Sequence, residues 1–303
     1  MENKIAGISM KGGKDSFFCS LLEFFPNQKR WALRSLLALK NHSEDTVIKN
    51  WISEHSPQKI VVDFPLSVPA CQRCRLTCPG MDRCPQEEIQ EIRFRMKELL
   101  ANDEKMIRED PAGYKNKRGG ENDFLKESCE FQLSKAFKRR LNKGILPYLN
   151  RAVDFWVWCS YYDQLLKLFN MSYNSFGTIS SAAFFRFSYL RRHLPCNLEF
   201  FEGSIYIYLI EFLKGDIITK RDIRNLSDIN TAISARLQIL EGIEKKLGVF
   251  MYQKDLDILL EDARAFDSFI LSLGGLCIRE NNIRELPQWS RPSETKMAIP
   301  FFY

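Results

Sequence analysis

Short apolar stretches separated by turn residues mark the first part of the chain. Residues 4–10 predict a strand that ends at a glycine-containing turn. Two longer apolar runs, 17–25 and 30–39, fit a pair of antiparallel strands, although 17–25 also fits a helix. Residues 43–55 place their apolar side chains on one helical face, and 60–63 is again of β type. The predicted order is strand, strand, strand, helix, strand.

The rest of the chain is mainly helical by its apolar spacing. Helices are predicted at 87–108, 127–142, 148–169 and 177–193, then a strand at 197–202, then helices at 205–213, 228–247 and 255–273. The closing segment 296–303 is apolar enough to dock as a terminal strand. We therefore predict a single α/β domain over residues 1–303, with a mixed sheet flanked by helices. Residues 67–195 would be a four-cysteine loop followed by a large helical insertion.

Composition narrows the class of protein. The chain has 303 residues, 45% of them hydrophobic and 27% charged, as in a globular protein. No apolar run is long enough to span a bilayer, and the first residues lack the apolar stretch of a signal peptide, so we expect a cytoplasmic protein without a membrane partner. The net charge of +6 suits a polyanionic partner such as DNA or RNA, and equally a generally basic surface.

Three carboxylates, far apart in the chain, are candidates for a catalytic metal site. Asp63 and Glu202 each end a predicted strand, and Asp267 lies in the last predicted helix. Strand ends line the crevice of a parallel-containing sheet, and carboxylates there suit Mg²⁺ or Mn²⁺. The structural alternative is that such residues only cap helices or form turns. Asp262 is a weaker ligand candidate, since five positions separate it from Asp267, whereas Arg264 shares the face of Asp267.

Four cysteines follow the fourth predicted strand. Cys71, Cys74, Cys78 and Cys84 lie within a short proline-containing loop. Four thiolates suit a tetrahedral structural Zn²⁺, and they also suit an iron–sulfur cluster, while reduced thiols without a metal are the third alternative. Three arginines, Arg73, Arg75 and Arg83, alternate with the cysteines and could contact phosphate groups of a nucleic acid.

A glycine turn follows the first predicted strand. The sequence from Lys11 to Ser16, KGGKDS, resembles the phosphate-binding SGGxDS loop of ATP pyrophosphatases, in which glycines let backbone N–H groups approach phosphate. In that enzyme class Asp15 would be essential. The alternative is an ordinary Gly-Gly hairpin turn.

Several segments taken in order resemble one family. They include GISMKGGK, VVDFPLSVPACQRCRLTCPGMDRC, LEFFEGSIY and EDARAFDSFILSL. Together they are similar to the domain-of-unknown-function 429 family, which is described as predicted nucleases of RNase H-like fold. The resemblance implies that the acidic motifs of that family fall on Asp63, Glu202 and Asp267.

The chain also departs from that pattern. RNase H-like nucleases carry an aspartate within the first strand, where this chain has Ser9, and Asp15 lies beyond the following turn. Arg264 stands where related resolvases carry a second helical carboxylate. The expected function is a Mg²⁺- or Mn²⁺-dependent nuclease. A degenerate member that binds nucleic acid through the arginine-rich cysteine loop is the first alternative, and the ATP pyrophosphatase is the second.

Overall fold

A computed structural model describes residues 3–10, 17–39, 45–112, 133–171, 181–290 and 296–302. The chain divides into two compact units. The first contains Met1–Leu66, Ile179–Glu285 and Lys296–Tyr303, and the second contains Ser67–Thr178 and Leu286–Thr295. The segment 181–191, which the sequence placed in the insertion, therefore belongs to the first unit.

The first unit contains a mixed six-stranded sheet. Its strands are β1 (Lys4–Ser9), β2 (Phe17–Phe25), β3 (Arg30–Leu39), β4 (Lys59–Val62), β5 (Glu199–Glu202) and β6 (Val249–Phe250). The spatial order is β5-β4-β1-β2-β3-β6. Strands β1, β2 and β3 are antiparallel neighbours, whereas β4 runs parallel to β1 and β5 runs parallel to β4. The predicted α/β class with a mixed, helix-flanked sheet is confirmed, and the run 17–25 is a strand.

The described residues also form eleven α-helices. They are α1 (Asp45–His55), α2 (Ala70–Arg73), α3 (Glu87–Glu109), α4 (Lys135–Lys143), α5 (Ala152–Phe169), α6 (Ser181–Arg191), α7 (Ile205–Lys214), α8 (Lys220–Asn225), α9 (Ala232–Leu247), α10 (Gln253–Glu261) and α11 (Ala263–Arg279). Within the described residues, no helix is both long and apolar enough to cross a membrane.

Helix α11 packs closely on one face of the sheet, and two small residues, Gly7 and Ser20, lie under it. Gly7 of β1 lies under the helix, and a Cβ added there would overlap the carbonyl oxygen of Ser268. Ser20 of β2, which pairs with Gly7, donates a hydrogen bond from its Oγ to the same carbonyl oxygen at 2.7 Å. The absence of side-chain bulk at Gly7 therefore sets how closely α11 approaches β1.

The other face of the sheet carries α1 and α6. Because side chains alternate along a strand, Ile8 of β1 and Val62 of β4 point away from α11. They form one buried apolar cluster with Trp51 of α1 and with Phe187 and Leu190 of α6. This cluster anchors both helices beside the fourth strand.

The second unit is helical and contains a buried ion pair. Arg151, at the start of α5, binds both carboxylate oxygens of Asp154 at 2.9 and 3.1 Å, and the two side chains are 3% and 2% exposed. Arg151 also donates to Ser67 Oγ at 3.1 Å. Glu88 of α3 accepts a hydrogen bond from the backbone N–H of Ala152 at 2.9 Å. The bond to Glu88 satisfies one of the otherwise unpaired N–H groups in the first turn of α5.

The structure corrects one helix that bears on the site. The sequence predicted a single helix over 255–273, but the chain forms α10 and α11 with a break at Asp262. Asp262 is the N-cap of α11, since its Oδ1 accepts a hydrogen bond from the backbone N–H of Arg264 at 2.8 Å. An aspartate that accepts the first N–H groups of a new helix favours this break.

Candidate functional site

Asp63 lies where the parallel strands β1 and β4 end. Ile8 pairs with Val62 in the register, so Ser9 and Asp63 are the next residues on the two strands. Ser9 Oγ donates to Asp63 Oδ2 at 2.8 Å, and the backbone N–H of Met10 donates to Asp63 Oδ1 at 3.0 Å. Asp63 is only 4% exposed. Both carboxylate oxygens are therefore fixed by neutral donors from the end of β1.

Glu202 occupies the end of the next strand. It lies opposite Val62 in the register of β4 and β5 and is 4% exposed. Its Oε1 accepts a hydrogen bond from the backbone N–H of Leu66 at 2.7 Å. The main chain of Glu202 also pairs with the closing segment of the chain, at Lys296 and Ala298. Asp63 and Glu202 are thus held at adjacent strand ends. The closing segment docks beside Glu202 through an isolated bridge rather than as a terminal strand.

The helical carboxylates lie at the start of α11. Asp267 is half-buried, and its charge acts on Arg236 of α9 together with that of Asp262. Both carboxylates act to raise the pKa of Arg236, but burial outweighs them and lowers this pKa from its ordinary value. Arg264 and Asp262 form an ion pair at 3.0 Å. Arg264 therefore pairs with the N-cap of its own helix.

No closed metal shell is present in the described ranges. Among those residues, no three His, Cys, Asp or Glu side chains form a group that could hold a metal ion. Asp63, Glu202 and Asp267 supply the hard oxygen donors that Mg²⁺ prefers, but they are not already gathered as a three-carboxylate set. Ser9, the neighbour of Asp63, contributes a hydroxyl where an aspartate was expected.

The glycine turn from Lys11 to Ser16 lies outside the described residues, and Asp15 with it. The ATP pyrophosphatase alternative depends on this turn.

The four-cysteine loop lies in the second unit. Cys71 is in α2, Cys74 directly follows that helix, Cys78 is exposed, and Cys84 is buried. Burial and the negative charges of Cys84, Cys78 and Cys74 raise the pKa of the Cys71 thiol. The charges of the other three thiols act on Cys71, but within the described residues no three of the cysteines form a group that could hold a metal ion.

Helix α3 holds this loop by polar contacts. Gln86 Nε2 donates to Cys74 Sγ at 3.7 Å, and Gln90 Nε2 donates to the carbonyl oxygen of Cys84 at 3.2 Å. Arg93 donates to the carbonyl oxygen of Asp82 at 2.6 Å and to its carboxylate at 2.9 Å. The positions of two cysteines are therefore coupled to the first turns of α3.

The three arginines of the loop differ in their surroundings. Arg73 forms an ion pair with Glu88 at 3.2 Å. Arg75 and Arg83 are exposed. Of the three predicted phosphate contacts, Arg73 thus has a structural partner within the second unit.

The sequence did not reveal the donors that hold the carboxylates. The backbone N–H groups of Met10 and Leu66 orient Asp63 and Glu202, and a main-chain donor has no residue-type signature. Arg236 was also missed, because α9 packs against α10, and this packing lets the Arg236 side chain donate a hydrogen bond to the carbonyl oxygen of Leu260. Pro65 indicates only that the chain turns after β4.

No family model matches the chain, and comparisons with curated proteins and with solved structures found no match. Function is therefore inferred from the site geometry and the sequence resemblance.

Proposed function

We propose that this chain is a divalent-metal-dependent nuclease of RNase H-like fold, acting at the sheet edge where β1, β4 and β5 end. The strand order supports the fold, because three antiparallel strands and a helix precede a fourth strand parallel to the first. The resemblance of the sequence to the domain-of-unknown-function 429 family points to the same fold and activity.

The burial of Asp63 carries the proposal. In the described parts of the chain its hydrogen-bond partners are the Ser9 hydroxyl and the Met10 N–H, both neutral, and it forms no ion pair. A buried carboxylate without a cationic partner is unfavourable, because desolvation penalises its charge. A divalent cation bound at the strand ends would compensate that charge.

The metal would be held by Asp63 and Glu202, with Asp267 as a third donor. Mg²⁺ is commonly bound by one or two carboxylates together with substrate phosphates, so a preassembled set of three is not required. When bound, the ion would neutralise charge on the scissile phosphate and activate a water molecule. The protein's own part is to orient the carboxylates, through Ser9 and Met10 for Asp63 and through Leu66 for Glu202.

The test is a cleavage assay with single-stranded, duplex, hybrid and branched substrates in Mg²⁺, in Mn²⁺ and in EDTA. Metal-dependent cleavage should fall at least about a hundredfold in Asp63→Asn and Glu202→Gln, since each removes a ligand charge from the site. Glu199→Gln is the matched control, because Glu199 is on β5 but pairs with Lys59 and Lys296 at the other end of that strand. Cleavage that survives both site substitutions would refute the assignment.

Ser9 favours a second candidate function. A hydroxyl in the place of the first-strand carboxylate is compatible with a non-catalytic protein that binds nucleic acid. Such a protein would show salt-sensitive binding, because phosphate contacts release counterions, and no turnover in any metal. The same substrates and metals therefore separate the two candidates.

For the second unit, we propose a structural Zn²⁺ on the four cysteines, with an iron–sulfur cluster as the alternative. Four cysteines within residues 71–84, three of which act through their charges on the thiol of the fourth, support a shared ligand site. Four thiolates would complete a tetrahedral shell.

A further inference from the structure

Helix α6 has one buried face and one face with exposed aromatic rings. Phe187 and Leu190 are 5% and 2% exposed and pack on the sheet. Phe185 and Tyr189 are 67% and 46% exposed. Residues four apart are neighbours on a helix surface, about 6 Å between Cβ atoms. The two exposed rings therefore lie one above the other on the outer side of α6.

The surroundings of these rings are cationic. The segment 181–198 contains three arginines and no Asp or Glu. Arg186 is paired with Asp45 at 2.7 Å, which leaves Arg191 and Arg192, both exposed and without a carboxylate partner among the described residues. Lys49 of α1 adds a further charge, with its Nζ 5.5 Å from the centroid of the Tyr189 ring. The guanidinium carbon of Arg191 lies 5.5 Å from the centroid of the Phe200 ring, on the side of the sheet. We therefore call Phe185, Tyr189, Arg192 and Lys49 the α6 outer surface.

The same helix is anchored beside the candidate site. The ring of Phe187 lies 4.7 Å from that of Phe64 in an edge-on arrangement. Phe64 directly follows Asp63 in the chain. Helix α6 is thus packed beside the residue that follows Asp63 at the carboxyl end of β4.

We infer that the α6 outer surface binds a single-stranded segment of nucleic acid, with bases stacked on Phe185 and Tyr189 and phosphates at Arg192 and Lys49. Exposed aromatic rings in a cationic setting are how proteins bind single strands, because every base has a face that can stack. A duplex keeps its base faces covered, so rings on a helix surface select the unpaired strand. This inference rests on the proposed function for its class of ligand and names which form of nucleic acid is bound.

The experiment measures binding of fluorescein-labelled oligothymidine and of a matched duplex by anisotropy, in EDTA, so that no cleavage takes place. We expect the double substitution Phe185→Ala and Tyr189→Ala to weaken single-strand binding at least about tenfold. Arg192→Ala should reduce the slope of log K against log salt concentration by about the amount expected for one lost phosphate contact. Ile233→Ala is the control, because Ile233 is an exposed apolar residue, 54% accessible, on α9. Circular dichroism checks that each variant is folded.

A second measurement localises the strand. Photo-crosslinking of a bromouracil-substituted oligonucleotide should yield adducts on the α6 peptide, and the double aromatic variant should lose them. Unchanged binding by the folded double variant, or equal affinity for duplex, would overturn the inference. Loss of self-association in that variant, with no effect on oligonucleotide binding, would assign the surface to a second copy of the chain. The two proposals fail separately, because binding without cleavage by the wild type would refute only the nuclease.

Discussion

Ser9 Oγ donates a hydrogen bond to Asp63 Oδ2 at 2.8 Å, and both side chains are buried where the parallel strands β1 and β4 end. In RNase H-like nucleases, which the sequence resembles, the corresponding first-strand residue is an aspartate. Two carboxylates at this place would repel each other unless a cation lay between them. The serine therefore avoids that repulsion, and it leaves the single charge of Asp63 for a cation to compensate.

The first prediction concerns Ser9→Asp. We expect this variant to unfold at a lower temperature than the wild type in EDTA, because it places two carboxylates side by side in a buried site. Mg²⁺ should restore much of the loss, since binding to the folded state alone stabilises it. Differential scanning fluorimetry over a Mg²⁺ titration measures both effects.

Ser9→Ala is the control for that experiment. It removes the hydrogen bond to Asp63 and should cost about 1–3 kcal/mol in unfolding free energy, with no added response to Mg²⁺. A Mg²⁺ response in Ser9→Asp no larger than in Ser9→Ala would contradict a cation site at these strand ends.

The second prediction concerns Gly7→Ala. The added Cβ would overlap the carbonyl oxygen of Ser268 and lie 2.5 Å from the backbone nitrogen of Ser272. Because both contacts are main chain of α11, no side-chain rotation relieves them, and we expect a loss of about 3 kcal/mol or more. Urea denaturation measures it.

Gly248→Asn is the matched substitution. Gly248 has φ of 65° and no heavy atom within 4 Å of an added Cβ. Asparagine tolerates the left-handed region, so we expect a loss below about 1 kcal/mol. Equal losses at the two glycines would show that backbone freedom, rather than the approach of α11, is what Gly7 provides.

Five of the six strands were predictable from sequence because they are short apolar runs bounded by turn residues. The edge strand β6 was not, because it is only two residues long. The break at Asp262 was not, because the apolar spacing of α10 continues into α11 and only the capping preference of aspartate marks the boundary. The positions of Asp63 and Glu202 at strand ends could also be predicted. Their hydrogen-bond donors could not, since Met10 and Leu66 act through backbone N–H groups.

The third prediction concerns pH and Asp262. Burial opposes ionisation of this carboxyl, but hydrogen bonds from Arg264 and its positive charge outweigh burial and hold the pKa below its ordinary value. An unfolded-state aspartate titrates at about 3.9. The ionised side chain therefore stabilises the fold above about pH 4, and this contribution is lost as the pH falls through the lower folded-state pKa.

Asp262→Ala should thus lower the unfolding free energy by about 1 kcal/mol at neutral pH, because α11 loses its N-cap. The difference from the wild type should shrink as the pH falls through the lowered folded-state pKa, because the wild-type carboxyl then loses its charge. Asp262→Asn keeps a capping oxygen, so it should lose less than the alanine variant at neutral pH. A wild-type advantage that persists unchanged into acid would show that the charge of Asp262 contributes nothing.

The last prediction concerns the cysteine loop. Protein purified without added metal should carry stoichiometric zinc by elemental analysis, and the double variant Cys71→Ser and Cys84→Ser should lose it. Cys196→Ser is the control, because Cys196 is a free, exposed cysteine in the first unit.

A loop whose residues are mostly exposed has little apolar burial to order it, so a ligated metal would contribute folding free energy directly. Removal of zinc by a chelator should therefore increase proteolysis between α2 and α3. Bound iron with visible absorption would instead indicate an iron–sulfur cluster. Protein with neither metal would have four reduced thiols, and this result would refute the proposed metal site.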